Sequence, residues 1–248
     1  MRTIVRVSLL VVSLALSGTA LFAVDRQDAL KGAGMPGSSG TSAKTAVLIT
    51  PEFTINSTRT AVLIMDYQNE IVHMLPENVQ VPLLDRAGAI LKKARQAHLP
   101  IVYVVVRFRD GYPEIDLHNK LFSGLKESGR LREGTSGAEI HDRVSPQPGD
   151  IVVTKRRVGA FSSTELETIL RAKNINTLVL FGISTSGVVL STIRWAADMD
   201  YSLVVIADAC ADRDSEVNRI LMDKVFPWQA TVVTTREFLY AIGAKEVK

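Results

Sequence analysis

The sequence predicts an α/β protein with a doubly wound, three-layer architecture: a six-stranded parallel sheet with helices on both faces. From Thr60 onward, short β-branched runs alternate with longer amphipathic stretches, the pattern expected of βαβ units. Each short run is nearly continuous in apolar residues, as expected when helices cover both faces of a sheet. The chain has 248 residues, 46% of them hydrophobic, so it is long enough for one globular domain with a sizeable core.

The strands and helices are predicted from the spacing of apolar residues. Strand runs are short and rich in Val, Ile and Leu, and we expect six of them, at residues 61–66, 101–106, 151–155, 178–181, 203–208 and 231–234. The stretches between them repeat Leu, Ile, Ala and Val at helical spacing, which predicts helices at residues 79–98, 163–173, 187–198, 215–226 and 236–242.

One segment departs from this alternation. Residues 108–148, between the second and third strands, contain Gly and Pro at many positions and lack a clear period. A long irregular insertion between two strands is usually functional rather than a structureless loop in a core. We therefore expect this segment, called the covering segment below, to lie over the crevice at the carboxyl ends of the strands.

The amino-terminal residues 1–23 have the layout of a secretory signal peptide. Arg2 and Arg6 are followed by an uncharged apolar stretch, residues 7–22, which is shorter than the ~20 residues that span a bilayer comfortably. Cleavage is expected after Ala20 or Ala23, giving an exported protein, periplasmic or secreted, without stable membrane insertion. The alternative is an uncleaved signal that anchors the chain. Residues 24–46 are predicted as a flexible linker, and residues 47–248 as the folded domain.

Charge and cysteine content exclude several functions. The chain has 29 basic and 26 acidic residues, and loss of Arg2 and Arg6 with the signal lowers its formal charge from +3 to +1. This balance gives no electrostatic argument for nucleic-acid binding. Neither a GxGxxG sequence nor a P-loop lysine motif is present. Cys210 is the single cysteine, so no intramolecular disulfide can form.

Two ionisable residues end predicted strands. Asp66 follows the first apolar run and Lys155 ends the third. Ligands of open α/β sheets bind at the carboxyl ends of strands, where an acid can transfer protons and an amine can stabilise an anion. Each residue also has an ordinary interpretation, because aspartates often cap turns and strand-end lysines are often solvated.

A turn rich in small residues follows the fourth strand. It runs from Gly182 through three hydroxyl residues to Thr192, passing from a buried strand into a helix. Free backbone N–H groups at the start of that helix can bind an anion. The alternative is simply a tight strand-to-helix connection, but this would not explain why all three segments occur together.

These segments resemble the isochorismatase-like superfamily, also called cysteine hydrolases, which includes nicotinamidases, N-carbamoyl amidases and isochorismatases. The resemblance covers residues 60–242 and is carried by four stretches: Asp-Tyr-Gln-Asn from Asp66, residues 138–150, Lys155 to Phe161, and residues 182–192. It implies the six-stranded parallel fold, a small-molecule substrate, no cofactor, often a homo-oligomer, and a non-proline cis peptide near Ile183–Ser184.

The resemblance also assigns the active-site positions. Amidases of the superfamily use an Asp–Lys–Cys triad, and the corresponding residues here are Asp66, Lys155 and Val188. Valine has no heteroatom and cannot act as a nucleophile. Isochorismatases also lack the cysteine, usually with glycine in its place, and protonate a vinyl ether from the aspartate before water adds. Further residues are predicted to bind substrate or form an oxyanion site: Gln68, Arg107, Phe161, Ser184, Thr185 and Gly187.

Other residues offer alternative chemistry. A hydroxyl nucleophile among Ser184, Thr185 and Ser186 would need an adjacent base, and the turn at residues 182–192 contains no histidine. Cys210 is interpreted as a buried, inert thiol. No metal is predicted, because the Asp-x-His arrangement of the nicotinamidase zinc site is replaced by Arg107-Phe-Arg-Asp110.

Three functional hypotheses follow. The first is a hydrolase of a small molecule in which Asp66 is the acid/base, Lys155 its electrostatic partner and water the attacking group. The second is a catalytically silent relative that binds a small ligand. The third is an amidase with a hydroxyl nucleophile. Asp66 and Lys155 favour the first, and Val188 favours the second.

Overall fold

A computed structural model describes residues 55–243 of the chain. The predicted signal peptide and linker lie outside the described residues. Within residues 55–243, no helix combines the length and the apolar character needed to cross a membrane.

Strands and helices alternate along the described chain. The six strands are β1 (Thr60–Met65), β2 (Ile101–Val106), β3 (Ile151–Lys155), β4 (Thr177–Gly182), β5 (Ser202–Ile206) and β6 (Thr231–Val233). The α-helices are α1 (Asn69–Val72), α2 (Glu77–Gln96), α3 (Lys120–Ser128), α4 (Leu166–Ala172), α5 (Leu190–Asp198), α6 (Ser215–Ile220) and α7 (Thr235–Gly243). All six predicted strands are present, in the predicted order.

The strands form one parallel sheet in the order β3-β2-β1-β4-β5-β6. This confirms the predicted doubly wound fold. The chain builds outward from β1 to β3, then crosses back to place β4 on the other side of β1. The order therefore reverses between β1 and β4, and a crevice opens at such a switch point at the carboxyl ends of the strands.

Burial of the strands follows their position in the sheet. Every residue of β1 and β2 is buried, and so are all residues of β4 except the first. These continuous apolar runs pack on both faces, which is the source of the sequence signal. The edge strand β3 is different: Val152 is exposed, whereas Lys155 at its end is buried.

Several predicted elements end or begin at different residues, and two of these differences have a local cause. The helix expected at 163–173 begins only at Leu166, because Ser163 has a positive φ of 59° that no α-helix accommodates. The strand expected at 203–208 ends at Ile206, and Asp208 lies in a short 3₁₀ turn. There its carboxylate accepts hydrogen bonds from the backbone N–H and hydroxyl of Thr235, which fixes the start of α7.

The covering segment, residues 108–148, is tied to the sheet by polar contacts. Gln68, just after β1, donates from Nε2 to the carbonyl oxygens of Val106 and Ala138 and accepts from the Val106 N–H through Oε1. Glu70 accepts from the Leu131 N–H at 3.1 Å. Between these attachments the segment carries α3, in which Phe122 alone is buried.

Candidate active site

The strand order brings three strand ends together. Asp66 follows β1, Lys155 ends β3, and the turn that begins at Ile183 follows β4. Because β2 lies between β1 and β3, the backbones that carry Asp66 and Lys155 are roughly 10 Å apart. A lysine side chain is long enough to extend over β2. The strand order therefore places Lys155 two strands away from Asp66, and the lysine side chain crosses β2 to reach the carboxylate.

The carboxylate of Asp66 contacts Lys155 through one of its two oxygens. Asp66 Oδ2 lies 2.9 Å from Lys155 Nζ, and both side chains are almost fully buried. Lys155 Nζ also donates to the carbonyl oxygen of Arg157 at 3.1 Å, which fixes the direction of the amine. Asp66 Oδ1 is buried without a hydrogen-bond partner among the described residues. One oxygen therefore binds the amine, and the other is buried beside the cavity without a partner in the described chain.

The backbone of Asp66 is in an uncommon conformation. Its φ is +58°, in the left-handed region that costs free energy for residues other than glycine. The Asp66 N–H donates to the carbonyl oxygen of Val104 at 2.8 Å, so β2 holds the residue in this conformation. The carboxylate is thereby turned out of the sheet at the end of β1.

Burial raises the pKa of Asp66 above its ordinary value of 3.8, because desolvation penalises the carboxylate. The charge of Lys155 and its hydrogen bond act in the opposite direction and lower the pKa, without cancelling the effect of burial. A carboxyl group with a raised pKa can release and recover a proton closer to neutral pH than an exposed aspartate can.

The turn after β4 approaches β1 closely. A Cβ on Gly182 would lie 2.9 Å from the carbonyl oxygen of Met65, so glycine is required at this approach. The Ile183 N–H donates to the same oxygen at 3.1 Å. The peptide bond between Ile183 and Ser184 is cis, which confirms the prediction made from the resemblance.

The turn then winds into one π-helical turn, Thr185–Val189, that leads into α5. Val188, which the resemblance predicts to occupy the position of the superfamily cysteine, is buried and lines a cavity together with Ser184 and Gly187. A Cβ on Gly187 would lie 2.7 Å from Ser184 Oγ, so a larger residue at this position would require the Ser184 side chain to move. No sulfur or other nucleophilic atom occupies position 188.

The cavity has a volume of about 440 Å³ and contains Asp66 and Lys155 in its wall. The rest of its lining is mostly apolar and comes from several parts of the chain. The covering segment supplies Phe122, Leu125 and Leu131, which confirms that this insertion covers the crevice. A cavity of this size with few polar groups suits a small organic molecule.

Two predicted substrate-binding residues, Gln68 and Arg107, do not line the cavity. All polar atoms of the Gln68 side chain are used in its bonds to Val106 and Ala138. The Arg107 guanidinium donates to the Ala138 carbonyl oxygen at 3.0 Å and pairs with Glu139 at 2.7 Å. Both side chains hold the covering segment in place.

Phe161 and Thr185 also lie outside the cavity lining. The Phe161 ring is buried, with its centroid 6.1 Å from that of Tyr201. Thr185 donates from Oγ1 to Asn218 Oδ1 at 2.6 Å and from its N–H to the Ala211 carbonyl oxygen. Of the nine predicted site residues, the cavity therefore brings together Asp66, Lys155, Ser184, Gly187 and Val188.

The sequence interpretation missed several residues of the cavity wall. Met74 follows α1, Arg130 follows α3, and Asp212 and Arg213 follow β5. The last two could have been found by the rule that identified Asp66, since they lie just beyond the carboxyl end of a strand. Met74 and Arg130 had no such signal, because only tertiary packing brings their segments to the crevice.

Cys210 has neither the position nor the chemistry of a nucleophile. It is buried just after β5 and does not line the cavity. Burial raises the pKa of its thiol to about 12. Within residues 55–243, no three His, Cys, Asp or Glu residues form a group that could hold a metal ion.

Curated proteins of similar sequence match most of the domain. The isochorismatase family protein YwoC of Bacillus subtilis is 32% identical over 75% of this chain and 95% of the relative. The ureidoacrylate amidohydrolase RutB of Rhizobium rhizogenes is 31% identical, over 72% of this chain and 82% of the relative. The secreted isochorismatase effector Isc1 of Verticillium dahliae is 30% identical, over 68% and 81%.

Solved structures share the fold. A cysteine hydrolase from Pseudomonas syringae superposes with a TM-score of 0.69 at 24% identity, covering 77% of this chain and 95% of the other. N-carbamoylsarcosine amidase from Thermoplasma acidophilum superposes with a TM-score of 0.59 at 28% identity, covering 71% and 96%. The isochorismatase domain model matches residues 60–237, from β1 into α7. The chain therefore belongs to the isochorismatase family.

Proposed function

We propose that this protein is a hydrolase of a small organic molecule and that its reaction needs no nucleophilic cysteine. The observation that carries the proposal is the Asp66 carboxyl group: Oδ2 pairs with Lys155, whereas Oδ1 is buried and unpartnered in the described chain, in the wall of the cavity. An unpaired buried oxygen is costly unless a ligand uses it. Its place beside an amine suits proton transfer to a bound substrate.

Three side chains have separate roles in the proposed reaction. Asp66 transfers a proton to the departing part of the substrate and recovers one from the attacking water, so the elements of water are added across the broken bond. Lys155 holds the carboxylate and stabilises its negative charge between these transfers. Val188 contributes only an apolar wall, which leaves water as the attacking group.

Relatives support hydrolysis without identifying the bond. RutB is described as an amidohydrolase and the Thermoplasma structure as an amidase. In this chain the position of the amidase cysteine is Val188, so we propose that the chain shares their fold and proton-transfer residues but attacks its substrate differently.

The first experiment measures turnover of isochorismate and a panel of small amides and ureides by residues 24–248. Asp66→Asn keeps the shape of the side chain and removes its titrating group, and we expect turnover to fall by about 10²–10⁴-fold. The matched control is Asp198→Asn, which alters an exposed acid outside the cavity. Equal loss in both variants, or undiminished turnover in Asp66→Asn, would remove Asp66 from the mechanism.

A second candidate function is binding of a small ligand without turnover. Val188 favours it, because a buried apolar side chain fills the position from which a thiol would attack. The turnover panel separates the two functions: a folded protein that binds small molecules of the panel and converts none of them would establish the silent relative.

The third hypothesis, a hydroxyl nucleophile, has less support. Ser184 and Ser186 line the cavity, whereas Thr185 bonds to Asn218. Within the described chain no histidine lines this cavity to serve as the base. A covalent adduct of a reactive acyl probe on Ser184 or Ser186 would revive this hypothesis.

We also propose that the protein is exported through residues 1–23. The charge pattern of that segment supports the proposal, and one relative is described as a secreted effector. Expression of the full chain with cell fractionation and amino-terminal sequencing tests it. Recovery of the intact amino terminus in the cytosolic fraction would contradict export.

A further inference from the structure

Both tryptophans of the chain are exposed to solvent. Trp195 on α5 is 48% exposed, and Trp228, a few residues before β6, is 86% exposed. Tryptophan carries a large apolar surface and is enriched at the buried centres of protein interfaces. Single exposed apolar residues need no explanation, but a group of them marks an interaction surface. The positions of the two tryptophans relative to each other therefore matter.

The two tryptophans lie on the same part of the surface. Arg194 precedes Trp195 in the sequence, and Gln229 follows Trp228. The Arg194 guanidinium donates to the side-chain oxygen of Gln229, so α5 and the segment before β6 meet beside both rings. The exposed residues Arg194, Trp195, Asp198 and Trp228 are called the tryptophan face below.

The tryptophan face has no part in the core or in the cavity. α5 turns Thr192, Ile193 and Ala196 inward, and this side of the helix is buried. The tryptophan face is its opposite, outward side together with Trp228, and none of its residues lines the cavity. Neither the fold of one chain nor the proposed reaction therefore explains the exposed tryptophans.

The charges beside Trp195 are opposite in sign and are not paired with each other. Arg194 and Asp198 are about one helical turn apart on the exposed side of α5, and neither has an ion-pair partner among residues 55–243. Two α5 helices packed antiparallel around Trp195 place Arg194 of each copy opposite Asp198 of the other. The charge pattern is therefore self-complementary under a two-fold axis. A uniformly charged partner would meet one attraction and one repulsion.

We propose that the tryptophan face is a two-fold interface between two copies of this chain. The two Trp195 rings pack together at the axis, and an Arg194–Asp198 pair forms on each side of them. Trp228 extends the apolar contact from the neighbouring segment. Buried tryptophans contribute much of the binding energy of interfaces, and complementary charges set the orientation. The inference does not depend on the proposed hydrolysis.

The mass of the protein and its tryptophan fluorescence test the interface. The chain has no other tryptophan, so burial of this face shifts the emission of the whole protein to shorter wavelength. The sample is the protein recovered after expression of the full chain, studied by sedimentation from about 0.1 to about 100 µM. We expect twice the chain mass at high concentration, with a dissociation constant of about 10 µM or lower. Dilution through the same range should shift the emission to longer wavelength.

Variants assign the association to the tryptophan face. Trp195→Ser should weaken it at least about 30-fold, as truncation at the centre of an interface does. The matched control is Tyr240→Ser on α7, because Tyr240 is also 48% exposed. α7 packs on α2, and right-handed crossovers that run in opposite directions place α2 and α5 on opposite faces of the sheet. An equal loss in both variants would overturn the assignment.

Reversal of charge tests the two-fold arrangement. Asp198→Arg brings two arginines together at both sites, and Arg194→Asp brings two aspartates together, so each should weaken association at least about tenfold. The double variant Arg194→Asp/Asp198→Arg restores opposite charges across the axis. It should recover the wild-type dissociation constant to within about threefold. A double variant that stays as weak as the single variants would overturn the two-fold arrangement.

Three further results would overturn the inference. The first is the mass of a single chain up to about 100 µM, and the second is association without a change in emission. The third is a single chain whose emission shifts only when phosphatidylcholine vesicles are added, which would assign the tryptophan face to a lipid surface. Turnover of the same samples is measured separately. An active single chain would refute the interface alone, and an inactive dimer would refute the hydrolase alone.

Discussion

The inner and outer parts of the cavity are built by different forces. The inner part is set by the sheet: β1, β3 and β4 end at the same edge of the sheet, with β2 between β1 and β3. Their register places Asp66, Lys155 and the turn before Val188. The outer part is formed by the covering segment. Hydrogen bonds such as those of Gln68 attach this segment to the sheet. The sheet therefore allows the inner part few alternative conformations, whereas the conformation of the outer part can change when its hydrogen bonds to the sheet change.

We therefore expect the inner part to determine the reaction and the outer part to determine which substrate binds. Proton transfer requires fixed distances, which a buried ion pair on a packed sheet provides. The remaining wall of the cavity is formed by the covering segment and the loop after β5, where Arg130 and Arg213 lie. Substitutions in the inner part should therefore affect catalysis and stability together, and those in the outer part should change affinity with smaller effects on the fold.

The largest expected effect comes from breaking the inner ion pair. Lys155→Met removes one partner of a buried pair and should lower the free energy of unfolding by about 3–5 kcal/mol at neutral pH. Urea denaturation measures this value, and Lys173→Met, which changes an exposed lysine, is the control. A loss below about 1 kcal/mol would show that the pair contributes little to the fold.

The cost of Lys155→Met should depend on pH. Lys155 lowers the pKa of Asp66, so the variant should raise that pKa further above 3.8. A carboxyl whose pKa is higher in the folded than in the unfolded state binds more protons when folded, so stability falls as pH rises between the two values. The variant should therefore lose more stability than the wild type between acidic and neutral pH. Parallel stability curves would contradict this.

Val188→Cys tests the inner part as a site for a nucleophile. The new thiol would lie in the cavity near Lys155 and at the start of a helix, two features that lower a thiol pKa. At neutral pH, iodoacetamide should alkylate it at least about 100-fold faster than Cys210, whose pKa is raised to about 12.

Mass spectrometry of the double variant Cys210→Ala/Val188→Cys assigns the adduct to position 188. The control is Val188→Ala, which keeps Cys210 intact. Equal labelling rates at the two positions would show that position 188 does not favour a thiolate. Gain of amidase activity by Val188→Cys, abolished by Asp66→Asn, would show that the rest of the triad is functional.

The attachment of the outer part can be weakened selectively. Gln68→Leu leaves the N–H and carbonyl of Val106 and the carbonyl of Ala138 without their side-chain partner, and should cost about 2 kcal/mol. Amide hydrogen exchange should accelerate in residues 108–148 more than in β1 and β4. Gln147→Leu, on an exposed side chain, is the control. Uniform acceleration would show that Gln68 supports the whole domain.

The smallest effect is expected at Arg107. Its ion pair with Glu139 is partly exposed, so Arg107→Gln should change the free energy of unfolding by less than about 1 kcal/mol. Urea denaturation of the variant and the wild type measures this change. A loss above about 2 kcal/mol would show that Arg107 is a main support of the covering segment.

Much of this protein was determined by its sequence alone. Apolar runs predict the six strands, because strands covered on both faces must be apolar throughout, and the rule that ligands bind at strand ends indicates Asp66 and Lys155. The resemblance to a known superfamily adds the cis peptide at Ile183–Ser184 and the absence of a nucleophile at Val188. These features depend on local sequence and on its spacing.

Only the tertiary structure decided which polar residues face the cavity. Gln68 and Arg107 lie in or next to the motifs, yet their hydrogen bonds turn them toward the covering segment. Arg213 and Met74 are 139 residues apart and meet at one point. The direction of a side chain depends on which hydrogen-bond partners, often distant in sequence, it finds in the fold. The sequence pattern around the residue does not show which partners those are. The strands could be predicted from the sequence because burial on both faces of the sheet favours an apolar residue at every position of a strand.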